Sequence, residues 1–201
     1  FDIDDFSTDD QGQINDDRVL TDDNGNEFRD MISLRFYDLV NQKRIIFRSY
    51  LTDISISNNP EWDSGQYAGR PEKFYNYGGN SRSVSVAFKV FPESEEQFES
   101  LWKRLNYMQG LVYPSNIQRL NGGGSLMLAP FMRLTVGDII KEWPGYIESL
   151  DISFPIDEGG WETKPGKQLP KNADVSVDYT LIEKRFPTTG DAFFDADFLT
   201  G

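Results

Sequence analysis

The sequence predicts an α+β fold: a mainly antiparallel β-sheet or open barrel, one covering α-helix, long loops and extended termini. Three observations carry this. Apolar residues alternate with period two in separated stretches, one stretch has helical period with its own start signal, and Gly, Pro and Asn cluster between them. In chain order the elements read β-β-loop-β-α-β-β-loop-β.

Residues 1–30 are acidic and carry only scattered apolar anchors (Ile3, Phe6, Ile14, Val19, Leu20, Phe28), which reads as an N-terminal arm that orders on a partner. Its Asp22-Asp23-Asn24-Gly25 run departs from the calcium-loop register, which would put Leu20 at the first ligand position, so it reads as a solvated acidic arm with an ion site as the alternative. From Met31 the period becomes two. Ile32, Leu34 and Phe36 form one run, and Ile45, Phe47, Tyr50 and Ile54 a second, after a turn at Asn41–Lys43. Residues 57–80, with Asn58, Asn59, Pro60, Gly65, Gly69, Pro71, Gly78 and Gly79, read as a long loop loaded with Trp62, Tyr67, Phe74, Tyr75 and Tyr77.

Val84, Val86, Phe88 and Val90 then alternate as a strand. Ser94-Glu95-Glu96-Gln97 is a capping box, followed at helical spacing by Phe98, Leu101, Trp102, Leu105 and Met108, with Lys103 and Arg104 on the wet face and Gly110 as the stop. Asn121–Gly124 reads as a loop tip. Phe131–Ile140, turning at Gly137-Asp138, and Tyr146–Phe154, after Pro144-Gly145, read as further strands. Residues 155–172 form a second long loop bearing Trp161. Val175, Val177, Tyr179 and Leu181 make the last strand, and the chain from Pro187 is tail-like, with Phe193, Phe194, Phe198 and Leu199 as anchors. The division is therefore an arm at 1–30, a β domain at 31–186 and a C-terminal tail at 187–201.

Composition narrows the chemistry. The 201 residues hold 33 acidic and 20 basic side chains, a net charge of −13, which opposes attraction to phosphate. There is no His and no Cys, so Ser-His-Asp and Cys-His catalysis, thiolate or imidazole metal sites and disulfides are excluded. No apolar run approaches the ~20 residues of a membrane span. A signal-peptide pattern is not found, and the opening Phe1 suggests a processed chain or part of a longer one.

The remaining candidates are generic. Carboxylate pairs such as Asp138 with Glu142, or Asp157 with Glu158, read as surface charge, since a glycosidase pair must flank a cleft. Gly122-Gly123-Gly124-Ser125 lacks the Lys-Ser/Thr of a phosphate loop. Arg70, Arg82 and Arg133 read as partners of acidic neighbours within or between subunits. Trp62, Trp102, Trp143 and Trp161 read as core or interface anchors rather than a sugar platform. No catalytic residue, cofactor or metal site is assigned, and the chain reads as a non-enzyme.

Positive content comes from Tyr75-Asn76-Tyr77-Gly78-Gly79-Asn80-Ser81-Arg82 ahead of a strand, and from the Phe/Leu/Trp helix ending in Leu111-Val112-Tyr113-Pro114. Pro130-Phe131, Leu134-Thr135-Val136-Gly137-Asp138 and Pro144-Gly145-Tyr146-Ile147-Glu148-Ser149-Leu150 follow. Trp161-Glu162, Leu169-Pro170 and Asp174-Val175-Ser176-Val177 complete the series. In this order, from Gly69 to Glu183, the chain resembles the baseplate and tail-tube proteins of contractile-tailed phages, including tube initiators at the hub–tube junction. The arm and the tail have no counterpart in that resemblance.

The resemblance implies a tail-tube type of sheet, joined edge to edge with copies of itself into a ring, a homohexamer, around a channel through which DNA passes without specific binding. It implies neighbouring baseplate hub and tail-tube proteins as partners, and a virion location after assembly in the host cytoplasm. On that reading Tyr77 and Arg82 start the long strand, Trp102 sits in the helix–sheet core, and Tyr113 closes the helix. Asp138 caps a turn and Trp161 anchors a loop. A β-rich adaptor or carbohydrate-binding module of the virion is the alternative, and a hydrolase using carboxylates alone is the third.

Overall fold

In the computed structural model the described residues are 19–21, 27–29, 32, 34–47, 49–92, 95–117, 126–155, 160–183, 185 and 187–196. The strands are β1 (Val19–Thr21), β2 (Glu27–Arg29), β3 (Leu34–Asp38), β4 (Lys43–Phe47), β5 (Tyr50–Gln66) and β6 (Lys73–Val90). The helix α1 (Glu95–Gly110) follows, then β7 (Ser115–Ile117), β8 (Leu126–Leu128), β9 (Met132–Val136), β10 (Ile140–Ser153) and β11 (Ala173–Leu181). Seven of them form one antiparallel sheet in the order β4-β3-β9-β10-β11-β6-β5, while β1 pairs with β2 and β7 with β8. This is the expected α+β class, mostly antiparallel sheet with a single helix.

The sheet is curled. β4 and β5 stand at its opposite edges although only residues 48 and 49 separate them in sequence, so the edges must meet at that corner. Phe47 of β4 accordingly packs on Phe88 of β6 across the interior, ring centroids 5.5 Å apart. The architecture is an open barrel.

Register explains the core, because strand side chains alternate between faces. Ile56, Val84, Tyr179 and Ile147 line up across β5, β6, β11 and β10, as do Ile54, Val86, Val177 and Leu150. Leu34, Phe36, Met132, Leu134 and Val136 continue the buried face through β3 and β9. Tyr179 donates its hydroxyl to the carbonyls of Met132 (2.8 Å) and Trp143 (3.0 Å), and burial pushes its pKa up. Its ring leaves room only for glycine beside it: a Cβ on Gly145 would lie 2.1 Å from the Thr180 carbonyl oxygen.

Helix α1 buries Leu101, Leu105 and Met108 against this face, and Phe98 is buried beside Trp102. The Tyr107 hydroxyl donates to Asp38 Oδ2 at 2.8 Å, and burial first, then Asp38, raises its pKa. Asp38 Oδ1 in turn accepts the Val40 N–H at 2.8 Å, tying the β3–β4 turn to the helix. Arg104 departs from expectation. It is buried, with Nη1 donating to the Ile46 carbonyl of β4 at 3.2 Å, because a guanidinium can enter a core margin where a carbonyl receives it. Ser94, the expected N-cap, the Asn121–Gly124 tip, and Asp157 and Glu158 lie outside the described residues.

Three sequence readings are corrected. Residues 57–80 are not a loop: β5 and β6 form one long hairpin that turns at Tyr67–Arg70, where Gly69 (φ +83°) takes the left-handed position and Arg70 N–H bonds Tyr67 O at 3.1 Å. Pro60 is tolerated because β5 is an edge strand, and Gly65 because the Phe74 ring occupies the place of its missing side chain. Pro144-Gly145 is no turn but lies inside β10, for the packing reason given above. Ile32 and Tyr50, expected to continue the apolar runs, are exposed, and the run through Ile54 is broken into β4 and β5 on opposite edges.

Candidate assembly surfaces

The longest unpaired margin among the described residues is β5, seventeen residues that bond only to β6. At the other edge β4 offers five residues. Beyond Asn58 and Arg82 the β5–β6 hairpin leaves the core. There Trp62 and Tyr77 are directly cross-strand, their rings edge to face at 5.1 Å, and Tyr67 and Phe74 pack at 5.0 Å. Trp62, Tyr67, Phe74, Tyr75 and Tyr77 are all exposed despite these pairings. Cross-strand aromatics hold such a ribbon together while leaving their outer surfaces open.

The outward face of the sheet is divided by chemistry. Across β5, β6, β11 and β10 run the rows Ser55–Ser85–Asp178–Ser149 and Asp53–Ala87–Ser176–Asp151. The hydroxyls of Ser85 (2.5 Å) and Ser149 (2.8 Å) donate to Asp178 and hold its carboxyl below the usual range. Across β4, β3 and β9 the same face carries Arg44, Tyr37 and Arg133 in one row. Both guanidiniums lie over the Tyr37 ring, at 5.8 and 6.0 Å. Glu142 sits at a bulge in β10 with φ +53° and is aimed back at them, 3.2 Å from Arg133 and 3.9 Å from Arg44. A groove of about 1160 Å³ opens here.

The six residues singled out from sequence do not converge on one site. Tyr77 and Arg82 lie within β6 rather than at its start. Arg82 is buried at 6% exposure, its guanidinium 4.3 Å from the Trp143 ring centroid and 5.4 Å from that of Phe193, with Nη1 3.1 Å from Glu183 and Nη2 donating to Phe193 O at 3.2 Å. Trp102 is not in the helix–sheet core. It is half-buried, donates Nε1–H to Pro170 O at 3.2 Å and stacks on Phe154 at 5.3 Å, because its side of the helix faces the 160–172 loop.

Trp161 was to anchor that loop, yet its side chain is exposed. The loop is closed by backbone bonds instead, Glu162 N–H to Leu169 O at 2.9 Å and Lys171 N–H to Gly160 O at 3.1 Å. Tyr113 closes the helix only through its N–H on Gly110 O (3.1 Å), its ring being exposed. Asp138 does not cap its turn. Ile139 N–H bonds Val136 O at 3.2 Å, and the exposed Asp138 carboxylate faces Lys141 at 3.2 Å. Arg133 pairs as expected with an acidic neighbour, whereas Arg70 contributes its carbonyl to Gln66 Nε2 at 2.7 Å.

What the sequence did not reveal were the seat of Trp143, read there only as an anchor, against Arg82, and the role of Asp195, whose carboxylate accepts the Lys141 N–H at 2.7 Å. No local pattern marks either one, because both contacts join parts of the chain far apart.

No catalytic grouping emerges among the described residues. The described carboxyls that depart from ordinary acidity, Asp178, Asp191 and Glu162, all shift downward, each because hydroxyl or backbone N–H groups donate to it. A general acid at neutral pH needs the opposite shift. Among the described residues no His/Cys/Asp/Glu group is placed to hold a metal ion, and no helix is long and apolar enough to cross a membrane.

No protein-family model matches the chain, and no curated protein does. Among solved structures it is similar to a chain from the tail of an empty gene transfer agent particle with C6 symmetry, at 15% identity and TM-score 0.35, over 78% of this chain and 96% of that one. A chain from the virion of a native gene transfer agent particle is similar at 14% identity and TM-score 0.35, over 78% and 95% of the two chains. Likenesses at that TM-score bear on neither family nor role.

Proposed function

We propose that the chain is a structural subunit of a phage-type tail or baseplate that joins copies of itself, edge to edge, into a ring around a channel. The observation that carries the ring is β5, a seventeen-residue edge strand without a partner on its outer side among the described residues, running out into a hairpin of five exposed aromatics. Such an edge is a liability in a monomer and a bonding surface in a closed assembly. The words tail and baseplate rest on the ordered series of short motifs between Gly69 and Glu183.

The hydroxyl and carboxylate rows on β5, β6, β11 and β10 suit a channel wall. On these four strands Asp53, Asp151, Asp174 and Asp178 stand with Lys89, which pairs with Asp174 at 3.6 Å, so this part of the face carries net negative charge and repels phosphate. A hexamer, contact with hub and tube neighbours, and DNA passage belong to this same reading, as does the division into arm, domain and tail. Negative-stain or cryo-electron microscopy of the purified full chain tests it: rings with a central channel support it, and a monomer at every concentration overturns it. A channel lined mainly by Lys and Arg would remove the DNA-passage part alone. The exposed Trp62–Tyr77 pair also fits a glycan-binding adaptor, a reading that requires glycan pull-down to be lost in Trp62→Ala.

A further inference from the structure

Glu183 and Phe193 touch the same guanidinium. Arg82 Nη1 lies 3.1 Å from Glu183 Oε1, and Nη2 donates to the Phe193 carbonyl at 3.2 Å. Nine residues, 184–192, separate the two in sequence, so the chain leaves this side chain and comes back to it. Stretched out, the ten Cα steps would reach roughly 33 Å, about twice the ~17 Å radius of gyration expected for a chain of this length. The connection is far longer than its present attachment needs.

The returning end lies on a bare margin. Pairing of β10 with β11 stops at Gly145 opposite Leu181, so residues 140–144 have β9 on one side only. The chain beyond β11 patches the other side. Ile182 N–H bonds Pro144 O at 2.8 Å, Lys141 N–H bonds the Asp195 carboxylate at 2.7 Å, and Asp195 N–H bonds Ile139 O at 3.2 Å. The Phe193 ring lies 5.4 Å from the Arg82 guanidinium, which is also 4.3 Å from the Trp143 ring.

The fit is incomplete. Among the described residues the buried Arg82 Nε finds no hydrogen-bond partner, a cavity of about 260 Å³ lies beside Arg82 and Trp143, and Phe193 and Phe194 remain partly exposed. Among the described residues of the intervening stretch, Asp191 accepts from Thr188 N–H at 2.6 Å and pairs with Arg185.

We propose that Arg82, Trp143 and the bare margin of β10 are a docking site for the Phe193–Asp195 segment, and that in the assembled ring the segment seated there belongs to a neighbouring copy. A neighbour's segment makes the same contacts at the site as the chain's own, so exchange gives up only the Thr188–Asp191 and Arg185–Asp191 contacts inside the connection, while its length supplies the reach. This rests on the ring reading, and it makes each subunit strap the next.

The chain has no cysteine, which makes the test direct. Ile139 and Asp195 share a backbone hydrogen bond of 3.2 Å, within reach of a disulfide. Chains carrying only Ile139→Cys are mixed with chains carrying only Asp195→Cys, allowed to assemble and oxidised. The expected result is a covalent dimer at up to about half of the Ile139→Cys sites, the share facing an Asp195→Cys neighbour in a random ring. Rings that give no dimer, while the double variant closes a disulfide within itself, overturn the exchange and leave the ring standing. Rings in which neither crosslink forms place the segment elsewhere and overturn it too. If even the unmodified chain forms no rings, the ring reading and the exchange fall together.

Discussion

The two halves of the β5–β6 hairpin make a controlled comparison. Between Tyr50 and Ser57, opposite Ser83–Lys89, the pair carries Leu51, Ile54, Ile56, Val84, Val86 and Phe88 on one face and mostly Ser, Asp and Lys on the other. From Asn58 and Arg82 outward the ladder continues, but the apolar groups are Trp, Tyr and Phe and they stay exposed. Backbone pairing is common to both halves. The inner half therefore stabilises the fold, whereas the outer half has aromatic surface left for a partner.

That contrast breaks most visibly in the core. Phe88→Ala should lower the free energy of unfolding by about 3–5 kcal/mol, because Phe88 is buried against Phe47 and the cavity cannot collapse. Urea denaturation measures this, and a loss below about 1 kcal/mol would mean the inner half is not core. Trp102→Ala should cost less, about 2 kcal/mol from one hydrogen bond and one ring stack. Its effect should be local, read as faster amide exchange through residues 160–172, which Trp102 holds at Pro170. Tyr107→Phe should cost about 1 kcal/mol by removing the hydroxyl from Asp38.

Acid gives a smaller and signed effect. The folded-state pKa of Asp178 is lowered by Ser85 and Ser149, so its contribution is fully present above the ordinary aspartate value of ~3.9 and is lost as pH falls through the lowered one. Asp178→Asn should flatten the stability slope in that acidic window and leave it unchanged near neutrality, as pH-dependent urea midpoints will show. The smallest effect on stability belongs to the outer hairpin. Trp62→Ala should change unfolding by no more than about 0.5 kcal/mol while abolishing assembly.

The core was legible because burial writes a period into the chain: Val84 to Val90, Val175 to Leu181, and Leu101, Leu105 and Met108 of the helical stripe lie where their spacing placed them, with Trp102 the exception. The outer hairpin was illegible for the same reason turned around. With neither face buried, residues 58–66 and 73–81 carry no period, and Asn59, Pro60, Gly78 and Gly79 then read as loop signals although an edge strand admits them. Pro144-Gly145 misled similarly, since the glycine answers the Tyr179 ring and Thr180 carbonyl rather than a turn. Of the candidate residues, Arg82 was chosen for its charge, but its cradle of Trp143, Glu183 and Phe193 spans more than a hundred residues of sequence. Long-range contacts of that kind leave no local trace.

The ring itself is most directly tested by single-particle cryo-electron microscopy of the full chain beside Trp62→Ala at the same concentration. The unmodified chain should form closed rings whose subunits meet along β5 with the outer hairpin seated on a neighbour, and the variant should remain a folded monomer. Rings in both samples, or a folded monomer in both, would contradict the assignment of the outer hairpin to assembly.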